Sequence, residues 1–246
     1  MSDQLTFSNP KVQRLRRLLG RRSARSEEGV FVVEGSGLIT QAWEAGWEIE
    51  AQFCAPGFGG VVPDGLVFDL APNVIERVAS TEAPQPVLAV VRQRPSVLPD
   101  GADFVIVADR LGDPGNAGTI IRSAEAAGAQ AVVFTPGSVD PYNPKVVRST
   151  AGSLFRVPVV VADLDVVRAA GLRLLATSSH QGEAYDAVDL TGSVALIVGN
   201  EAHGVPDDAP VDGWITIPHQ GEAESLNVAM AATVLVFEVA RQRRQR

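Results

Sequence analysis

The amino-acid sequence predicts an α/β protein with a mostly parallel sheet, preceded by a smaller α/β domain. In the second half of the chain, short apolar runs alternate with segments of helical periodicity, and this alternation favours a parallel sheet. Several of the runs are apolar throughout, as strands covered on both faces are. Residues 92–101 are polar and contain two prolines and a glycine, which is typical of a linker. The sequence therefore predicts two domains, at residues 1–95 and 96–246.

The first predicted domain begins with a helix over residues 10–20, in which leucines and a valine recur on one face among arginines. Apolar runs bounded by Gly, Pro and Asp then predict strands, and the segments between them have helical spacing. In chain order the elements that follow are a strand at 29–35, a helix at 36–47, strands at 50–56 and 64–72, a helix at 73–80 and a strand at 84–93.

The second predicted domain carries six apolar runs with helical segments between them. The last helix has apolar residues at helical spacing and alanines that permit close packing. The predicted strands are 104–108, 131–134, 157–161, 173–177, 194–199 and 214–217. The predicted helices are 119–127, 144–152, 163–170 and 225–240.

The composition is that of an ordinary globular protein, because 46% of the residues are hydrophobic. No apolar stretch approaches the ~18 residues that a membrane-spanning helix needs, and the N-terminal residues contain no apolar signal core. The single cysteine, Cys54, excludes an internal disulfide and suits a reducing compartment. We therefore expect a cytoplasmic protein with no membrane partner.

The charge is distributed unevenly along the chain. The net charge is −8, yet residues 1–26 contain seven basic side chains and one acidic side chain. A basic arm on an acidic body is a plausible footprint for a polyanion, although a solvated helix end has the same composition. Charge alone therefore leaves nucleic-acid binding open. A second basic cluster ends the chain with Arg241, Arg243, Arg244 and Arg246.

The familiar cofactor and catalytic motifs are missing from the sequence. Neither the G-x-G-x-x-G fingerprint of dinucleotide sites nor the G-x-x-x-x-G-K-[ST] phosphate loop occurs, and no G-x-S-x-G elbow is present. The three histidines, His180, His203 and His219, lack the spacing of metal ligands, and one cysteine cannot complete a zinc site. The sequence therefore predicts no metal.

Three polar segments follow predicted strands at their carboxyl ends, where open α/β sheets bind ligands. They are "NAGTIIR" at 116–122, "VGNEAHGVP" at 198–206 and "IPHQGEAESLNVAMA" at 217–231. Each segment alone has an ordinary structural explanation, as turn residues, a surface arginine or a helix N-cap. All three together, in this order, favour a functional site. In the first segment, Gly118 is expected to open a helix that presents Arg122.

These segments resemble the motifs of the SpoU (TrmH) branch of the SPOUT RNA methyltransferases. The resemblance covers roughly residues 104–243, and the N-terminal stretch is similar to the RNA-substrate domain, of a ribosomal-protein-like α/β fold, that often precedes it. Ala202 departs from the family pattern, which often has glycine there. The matching residues are Asn116, Gly118 and Arg122 in the first motif, Gly199, Asn200, Glu201 and Gly204 in the second, and Ile217, Pro218, Ser225, Leu226, Asn227 and Val228 in the third.

The resemblance implies a C-terminal trefoil knot, a bound S-adenosylmethionine and a homodimer packed through the knot. Knots are rare exceptions among folds, and periodicity does not reveal them. By position, the implied cofactor contacts are Gly199, Ile217, Leu226, Asn200, Thr177 and Ser178.

The implied reaction is methyl transfer to a ribose 2′-hydroxyl of RNA. A guanidinium is a poor base, so Arg122 is expected to grip the adjacent phosphate rather than remove the proton. Asn116 would orient Arg122 or the ribose, and Glu201 would order that network. Ser225 and Asn227 would bind the first loop or the RNA. The basic residues expected to contact RNA phosphates are Arg14, Arg16, Arg17, Arg21 and Arg22.

The fused substrate domain favours ribosomal RNA over transfer RNA. Resistance methyltransferases share this architecture, so the resemblance leaves a housekeeping role and a resistance role both open. A transfer-RNA methyltransferase and a catalytically silent RNA-binding or ribosome-assembly protein of the same fold are the alternatives. An ordinary nucleotide-dependent Rossmann enzyme is disfavoured because its fingerprint is missing.

Overall fold

The computed structural model describes residues 4–79, 83–94, 96–222 and 224–245. The chain forms two compact units, Met1–Arg94 with Tyr142–Phe155, and Pro95–Pro141 with Arg156–Arg246. The units differ from the predicted domains, 1–95 and 96–246, because residues 142–155 belong to the first unit. Aromatic packing explains the difference, since the ring of Tyr142 lies 4.8 Å from that of Phe31 and the ring of Phe155 lies 5.6 Å from that of Trp47.

The first unit has a four-stranded sheet in the order β1-β4-β2-β3, in which β4 is antiparallel to both neighbours and β2 is parallel to β3. The apolar face of α1 packs on this sheet through Leu15 and Leu18, both fully buried. The elements are α1 (Pro10–Gly20), α2 (Arg22–Glu28), β1 (Val30–Glu34), α3 (Ser36–Glu44), β2 (Ile49–Cys54), β3 (Leu66–Asp69), α4 (Val74–Val78), β4 (Val87–Arg92) and, from the later segment, α6 (Pro144–Ser149) and a 3-10 turn (Ser153–Phe155).

The second unit has a seven-stranded sheet in the order β7-β6-β5-β10-β8-β11-β9, and every described pairing in it is parallel. This confirms the predicted α/β class with a mostly parallel sheet. The elements are β5 (Phe104–Ala108), α5 (Pro114–Ala126), β6 (Ala131–Phe134), β7 (Val159–Val161), α7 (Leu164–Ala169), β8 (Arg173–Thr177), β9 (Glu183–Ala184), β10 (Val194–Val198), β11 (Gly213–Thr216) and α8 (Val228–Arg244).

The strand order brings the three predicted segments together. The chain runs outward from β5 through β6 to β7 and then returns to the other side of β5, where β10 is its neighbour. In parallel sheets such a reversal leaves a crevice at the carboxyl ends of the strands. The segments after β5, β10 and β11 all leave the sheet at this edge.

Two helix starts differ from the prediction by more than one residue. The helix predicted at 119–127 begins at Pro114, because the carboxylate of Asp113 accepts from the backbone N–H of Asn116 at 2.9 Å and proline suits a first helical turn. The interpretation of Gly118 as the entry to the helix is therefore wrong. Gly118 is a buried residue inside α5. The last helix begins at Val228 rather than at Ser225, because Asn227 caps it.

Two elements have no counterpart in the prediction. Helix α2 is polar and short, so its sequence lacks apolar periodicity, and it ends where Gly29 adopts a left-handed φ of 63°. Strand β9 has only two residues and depends on pairing with β11. No helix in the part of the chain that the structure describes is long and apolar enough to cross a membrane.

Candidate active site

A cavity of about 690 Å³ opens at the carboxyl edge of the seven-stranded sheet. Its walls come from four places: the segment after β8, the loop after β10, the segment after β11 and the first turns of α8. Apolar side chains of Ile215, Ile217 and Leu235 line it together with polar groups. A concave site with mixed walls suits a ligand that has a flat apolar part and several hydrogen-bonding groups.

The structure brings all six predicted cofactor residues to this one cavity, although they come from three separate segments of the chain. Three of the five predicted catalytic residues, Glu201, Ser225 and Asn227, line it as well. The six predicted cofactor residues are Thr177, Ser178, Gly199, Asn200, Ile217 and Leu226.

Gly199 shows why the cavity wall needs a glycine. A Cβ at this position would collide with the backbone of Gly204 and Val205, because the loop folds back onto its own start. The loop is closed by a bridge between Asn200 and Gly204, and Gly204 has a left-handed φ of 66°. Ala202 is not among the described residues with positive φ, so alanine fits there without backbone strain.

Glu201 ties this loop to the first motif. Its carboxylate accepts from the backbone N–H of Gly112 at 3.1 Å, from that of Asp113 at 2.9 Å and from Nδ2 of Asn116 at 3.1 Å. Three donors on one carboxylate hold both elements in a fixed geometry. The predicted role of Glu201, ordering the network around Asn116, agrees with these contacts.

The environment of Glu201 also determines its charge. Burial raises the pKa of this carboxyl, but the hydrogen bonds from Asn116, Asp113 and Gly112 lower it, and the net result lies below the ordinary value. Glu201 is therefore ionised at neutral pH, as an acceptor of three hydrogen bonds requires.

Asn116 and Asn227 continue the network to the last helix. Nδ2 of Asn227 donates to Oδ1 of Asn116 at 3.1 Å, and Oδ1 of Asn227 accepts from the backbone N–H groups of Ala229 and Met230 at 2.9 and 3.3 Å. One residue thus caps α8 and fixes the amide of Asn116. All three motifs are connected by side-chain hydrogen bonds.

Arg122 lies apart from this network. It is exposed on α5 and does not line the cavity, and the described residues provide it with no hydrogen bond or ion pair. Asn116 does not line the cavity either, but its side chain contacts Glu201, which does. The structure therefore does not bring Arg122 and Asn116 into contact, and the expected orientation of Arg122 by Asn116 stays a prediction.

Sequence reasoning missed the histidines. His180, His203 and His219 all line the cavity, although their spacing had excluded only metal binding. Nε2 of His219 is buried, and the described residues provide it with no hydrogen-bond partner. Its position two residues after Ile217 was the available signal. In the described residues, no group of three or more His, Cys, Asp or Glu side chains could hold a metal ion.

An unpartnered buried nitrogen and a glycine cradle are the features expected of a site whose ligand completes it. A bound ligand can supply the partner that Nε2 of His219 lacks, and its atoms can approach the backbone at Gly199 closely. Ser178, His180 and His203 add donors and acceptors of hydrogen bonds. The residues present therefore fit S-adenosylmethionine, which carries an adenine, a ribose and an amino-acid group.

The arginines predicted to bind RNA are in different situations. Arg14 is half-buried and ion-paired at 2.5 Å with both Glu28 and Glu50, so much of its charge is neutralised inside the first unit. Arg17 lies 3.8 Å from Glu28, while Arg16 stacks on the ring of Phe7 with its guanidinium carbon 5.6 Å from the centroid. Arg16, Arg17, Arg21 and Arg22 are exposed.

The C-terminal basic cluster is largely structural. Arg241 pairs with the buried Glu238 at 2.6 Å, and Arg243 pairs with Asp103 at 2.6 Å and lies over the ring of Phe104. The Arg241–Glu238 pair lies within α8, whereas Arg243 connects α8 to Asp103 and to the carbonyl of Gly192. The contribution of this cluster to a polyanion footprint stays a prediction, and Arg246 lies outside the described residues.

Comparison with known proteins identifies the family. The profile of the SpoU rRNA Methylase family matches residues 103–237, which include all three motifs. The chain belongs to the SpoU rRNA methylase family. The profile of the MRM3-like substrate binding domain matches residues 9–89, within the first unit. The resemblance inferred from the motifs is therefore confirmed.

Members of the SpoU family with related sequences are similar over nearly the whole chain. The chain is 34% identical to the 23S rRNA (guanosine(2553)-2′-O)-methyltransferase RlmP of Bacillus subtilis, over 94% of this chain and 96% of that protein. It is 34% identical to the 23S rRNA (uridine(2479)-2′-O)-methyltransferase of Streptomyces viridochromogenes, over 98% of this chain and 92% of the other.

Solved SpoU structures have the same fold. The SpoU methyltransferase AviRb of Streptomyces viridochromogenes, in complex with AdoMet, matches with a TM-score of 0.87 and 32% identity, over 96% of this chain and 98% of that one. An AdoMet-bound rRNA methyltransferase from Sinorhizobium meliloti matches with a TM-score of 0.85 and 32% identity, over 97% of each chain.

Proposed function

We propose that the protein transfers a methyl group from S-adenosylmethionine to a ribose 2′-hydroxyl of 23S ribosomal RNA. The observation that carries this proposal is the cavity with its glycine cradle and unpartnered His219, adjoining a network that connects all three family motifs. The similarity to two 23S rRNA methyltransferases supports ribosomal over transfer RNA, and the similarity to two AdoMet-bound structures supports the cofactor.

The protein's part in the reaction is mainly binding and positioning. S-adenosylmethionine supplies an already activated methyl group. The walls around Gly199, Ile217 and Leu226 would hold it, and His219 would supply one hydrogen bond. Glu201 and Asn227 hold Asn116 still, so that its amide can orient a ribose with little loss of entropy on binding.

Arg122 is proposed to bind the phosphate next to the target ribose. A guanidinium stays protonated, so its contribution is electrostatic. Its exposure on α5, without a partner among the described residues, leaves it available for RNA. Of the basic arm, we propose that Arg16, Arg17, Arg21 and Arg22 contact phosphates, and that Arg14 mainly stabilises the first unit.

The function is tested with unmodified 23S rRNA transcribed in vitro and methyl-labelled S-adenosylmethionine. We expect label at one ribose, located by mapping 2′-O-methyl positions. Binding of RNA without binding of S-adenosylmethionine in calorimetry would overturn the proposal and would favour a silent RNA-binding protein. Label on a base rather than on a ribose would also overturn it.

Replacement of Arg122 by alanine is expected to lower kcat by about 100-fold, because an electrostatic contact to the reacting region is typically worth that much. The affinity for S-adenosylmethionine should not change, since Arg122 does not line the cavity. Single-turnover methylation and calorimetry measure the two effects. Arg168→Ala is the control, because Arg168 is an exposed arginine of the same unit that pairs with Asp212. Near wild-type turnover would remove Arg122 from the site.

A homodimer is proposed from the outer face of α8. Three apolar side chains at helical spacing are exposed there: Met230 at 58%, Val234 at 38% and Phe237 at 44%. A stripe of this kind on a helix of 17 residues is suited to packing against a second copy.

We also propose that the segments after β10 and β11 form a trefoil knot, and that the protein is cytoplasmic.

Replacement of Met230 by lysine is expected to convert the dimer into a monomer, because a charge in an apolar interface must lose its hydration. Light scattering after size exclusion measures the mass. Val166→Lys is the matched control, since Val166 is 49% exposed on α7. A monomeric wild-type protein, or a Met230→Lys protein that stays dimeric, would contradict the proposed interface.

A further inference from the structure

Arg110 has a backbone conformation that its side chain disfavours. It follows β5 and has a φ of 51°, and the other described non-glycine residues with positive φ are Asn73 and Ala151. The left-handed region brings Cβ close to the backbone, so glycine or asparagine is the usual residue there. An arginine at such a position suggests that its side chain provides something that glycine and asparagine cannot.

The conformation is held from both sides by hydrogen bonds. The backbone N–H of Arg110 donates to Oγ1 of Thr135 at 2.9 Å, and its carbonyl accepts from Nδ2 of Asn200 at 3.0 Å. Asn200 lines the cavity. Arg110 is therefore fixed directly to the wall of the proposed cofactor site, two residues before the N–H of Gly112 that binds Glu201.

The guanidinium is also held in one orientation. Nε and Nη2 donate to Oδ2 of Asp109 at 3.2 and 3.0 Å, while Oδ1 of Asp109 accepts from the hydroxyl of Thr135 at 2.8 Å. The side chain of Asp109 is only 11% exposed, whereas that of Arg110 is 50% exposed. The carboxylate thus lies behind the guanidinium, and solvent meets mainly the cationic group.

Nη1 of Arg110 has no partner among the described residues, and Nη2 carries a second N–H besides the one that it donates to Asp109, so each of these two nitrogens presents one N–H at the end of the guanidinium. A planar guanidinium with two free donors matches the geometry of a phosphate oxygen pair. The acidic neighbour across the loop, Glu201, is already occupied by three donors. Glu201 is therefore not available as a second carboxylate partner for Arg110, and this arrangement favours a ligand anion as the partner of the remaining N–H groups.

We propose that Arg110 is a substrate-binding residue that grips an RNA phosphate beside the nucleotide to be methylated. The proposal rests on the proposed function, since it takes RNA as the substrate. Asp109 and Thr135 act as positioning residues, because they orient the guanidinium. The hydrogen bond from Asn200 places Arg110 beside the cavity wall. Its side chain is already held by Asp109, so little conformational freedom is lost when RNA binds.

The test uses Arg110→Asn, because asparagine tolerates a left-handed backbone while it removes the guanidinium and its charge. The affinity for 23S rRNA transcribed in vitro is measured by filter binding over a range of salt concentrations. Loss of one phosphate contact should lower the slope of log K against log salt by about 0.7 to 0.9. The dissociation constant for S-adenosylmethionine should stay unchanged. Arg110→Lys, which keeps the charge but loses the fork, should keep the slope and bind more weakly.

Arg168→Gln is the matched control, because Arg168 is also an exposed arginine paired with a carboxylate in the same unit, at 3.2 Å from Asp212. Its salt slope should equal that of the wild type. If the wild-type enzyme methylates 23S rRNA but the Arg110→Asn variant keeps the wild-type salt slope, only the assignment of Arg110 is overturned. A wild-type protein that fails to bind or methylate RNA would overturn the proposed function and this inference with it.

Discussion

Replacement of Gly199 by alanine is expected to weaken the binding of S-adenosylmethionine by about 10- to 100-fold. The added Cβ collides with the backbone of Gly204 and Val205, so the loop that forms one wall of the cavity must move. Overpacking against a backbone that cannot rotate away costs about 1–3 kcal/mol, which corresponds to that range of affinity. Isothermal titration calorimetry of the variant measures the loss.

Gly192→Ala is the matched control for this experiment. A Cβ at Gly192 meets nothing within 4 Å, and the residue is not among those with positive φ. It should bind the cofactor as the wild type does. If Gly199→Ala also kept wild-type affinity with its thermal stability intact, the loop after β10 would not form the cofactor wall.

Replacement of Glu201 by alanine is expected to lower kcat by about 100-fold while the affinity for S-adenosylmethionine falls by less than about tenfold. The variant releases the N–H groups of Gly112 and Asp113 and the amide of Asn116 at once. A displacement of about 1 Å in a positioning group is enough for a loss of this size. Single-turnover rates and calorimetry separate the two effects. Glu125→Ala, at a partly buried glutamate of α5 that pairs with Arg156, should keep the wild-type rate.

The pH dependence of stability gives a second readout for Glu201. Because the folded pKa of this carboxyl lies below its ordinary value of 4.5, its contribution to stability is present above that value and is lost as the pH falls through the folded pKa. The difference in stability between the wild type and Glu201→Gln should therefore be constant above about pH 5 and should shrink at lower pH. A difference that grows on acidification would contradict the network.

Much of the site was predictable because its chemistry is local in sequence. The spacing of Asn116 and Arg122, the loop at 199–204 and the segment at 217–228 are short patterns, and each follows an apolar strand. Parallel strands put their carboxyl ends at one edge, so the convergence of these segments follows from the alternation of elements. The predicted cofactor contacts were taken by position from the family resemblance, and the structure places all six around one cavity.

The features that sequence reasoning missed depend on distant partners. The unpartnered Nε2 of His219 is visible only once the cavity is formed, and the strained φ of Arg110 is held by Thr135 and Asn200, which lie far along the chain. The ion pairs of Arg14 with Glu28 and Glu50 are likewise formed by folding. A count of charges could not distinguish this arginine from its exposed neighbours Arg16, Arg21 and Arg22.

The sequence by itself determined the fold class, the type and order of most elements and the family, because period, apolarity and motif spacing are properties of contiguous residues. Only the tertiary structure decided that residues 142–155 belong to the first unit, that α5 begins at Pro114, and that Glu201 and Asn227 meet at Asn116. The physical reason is that aromatic packing, capping and side-chain hydrogen bonds depend on which groups come within about 3 to 6 Å after folding.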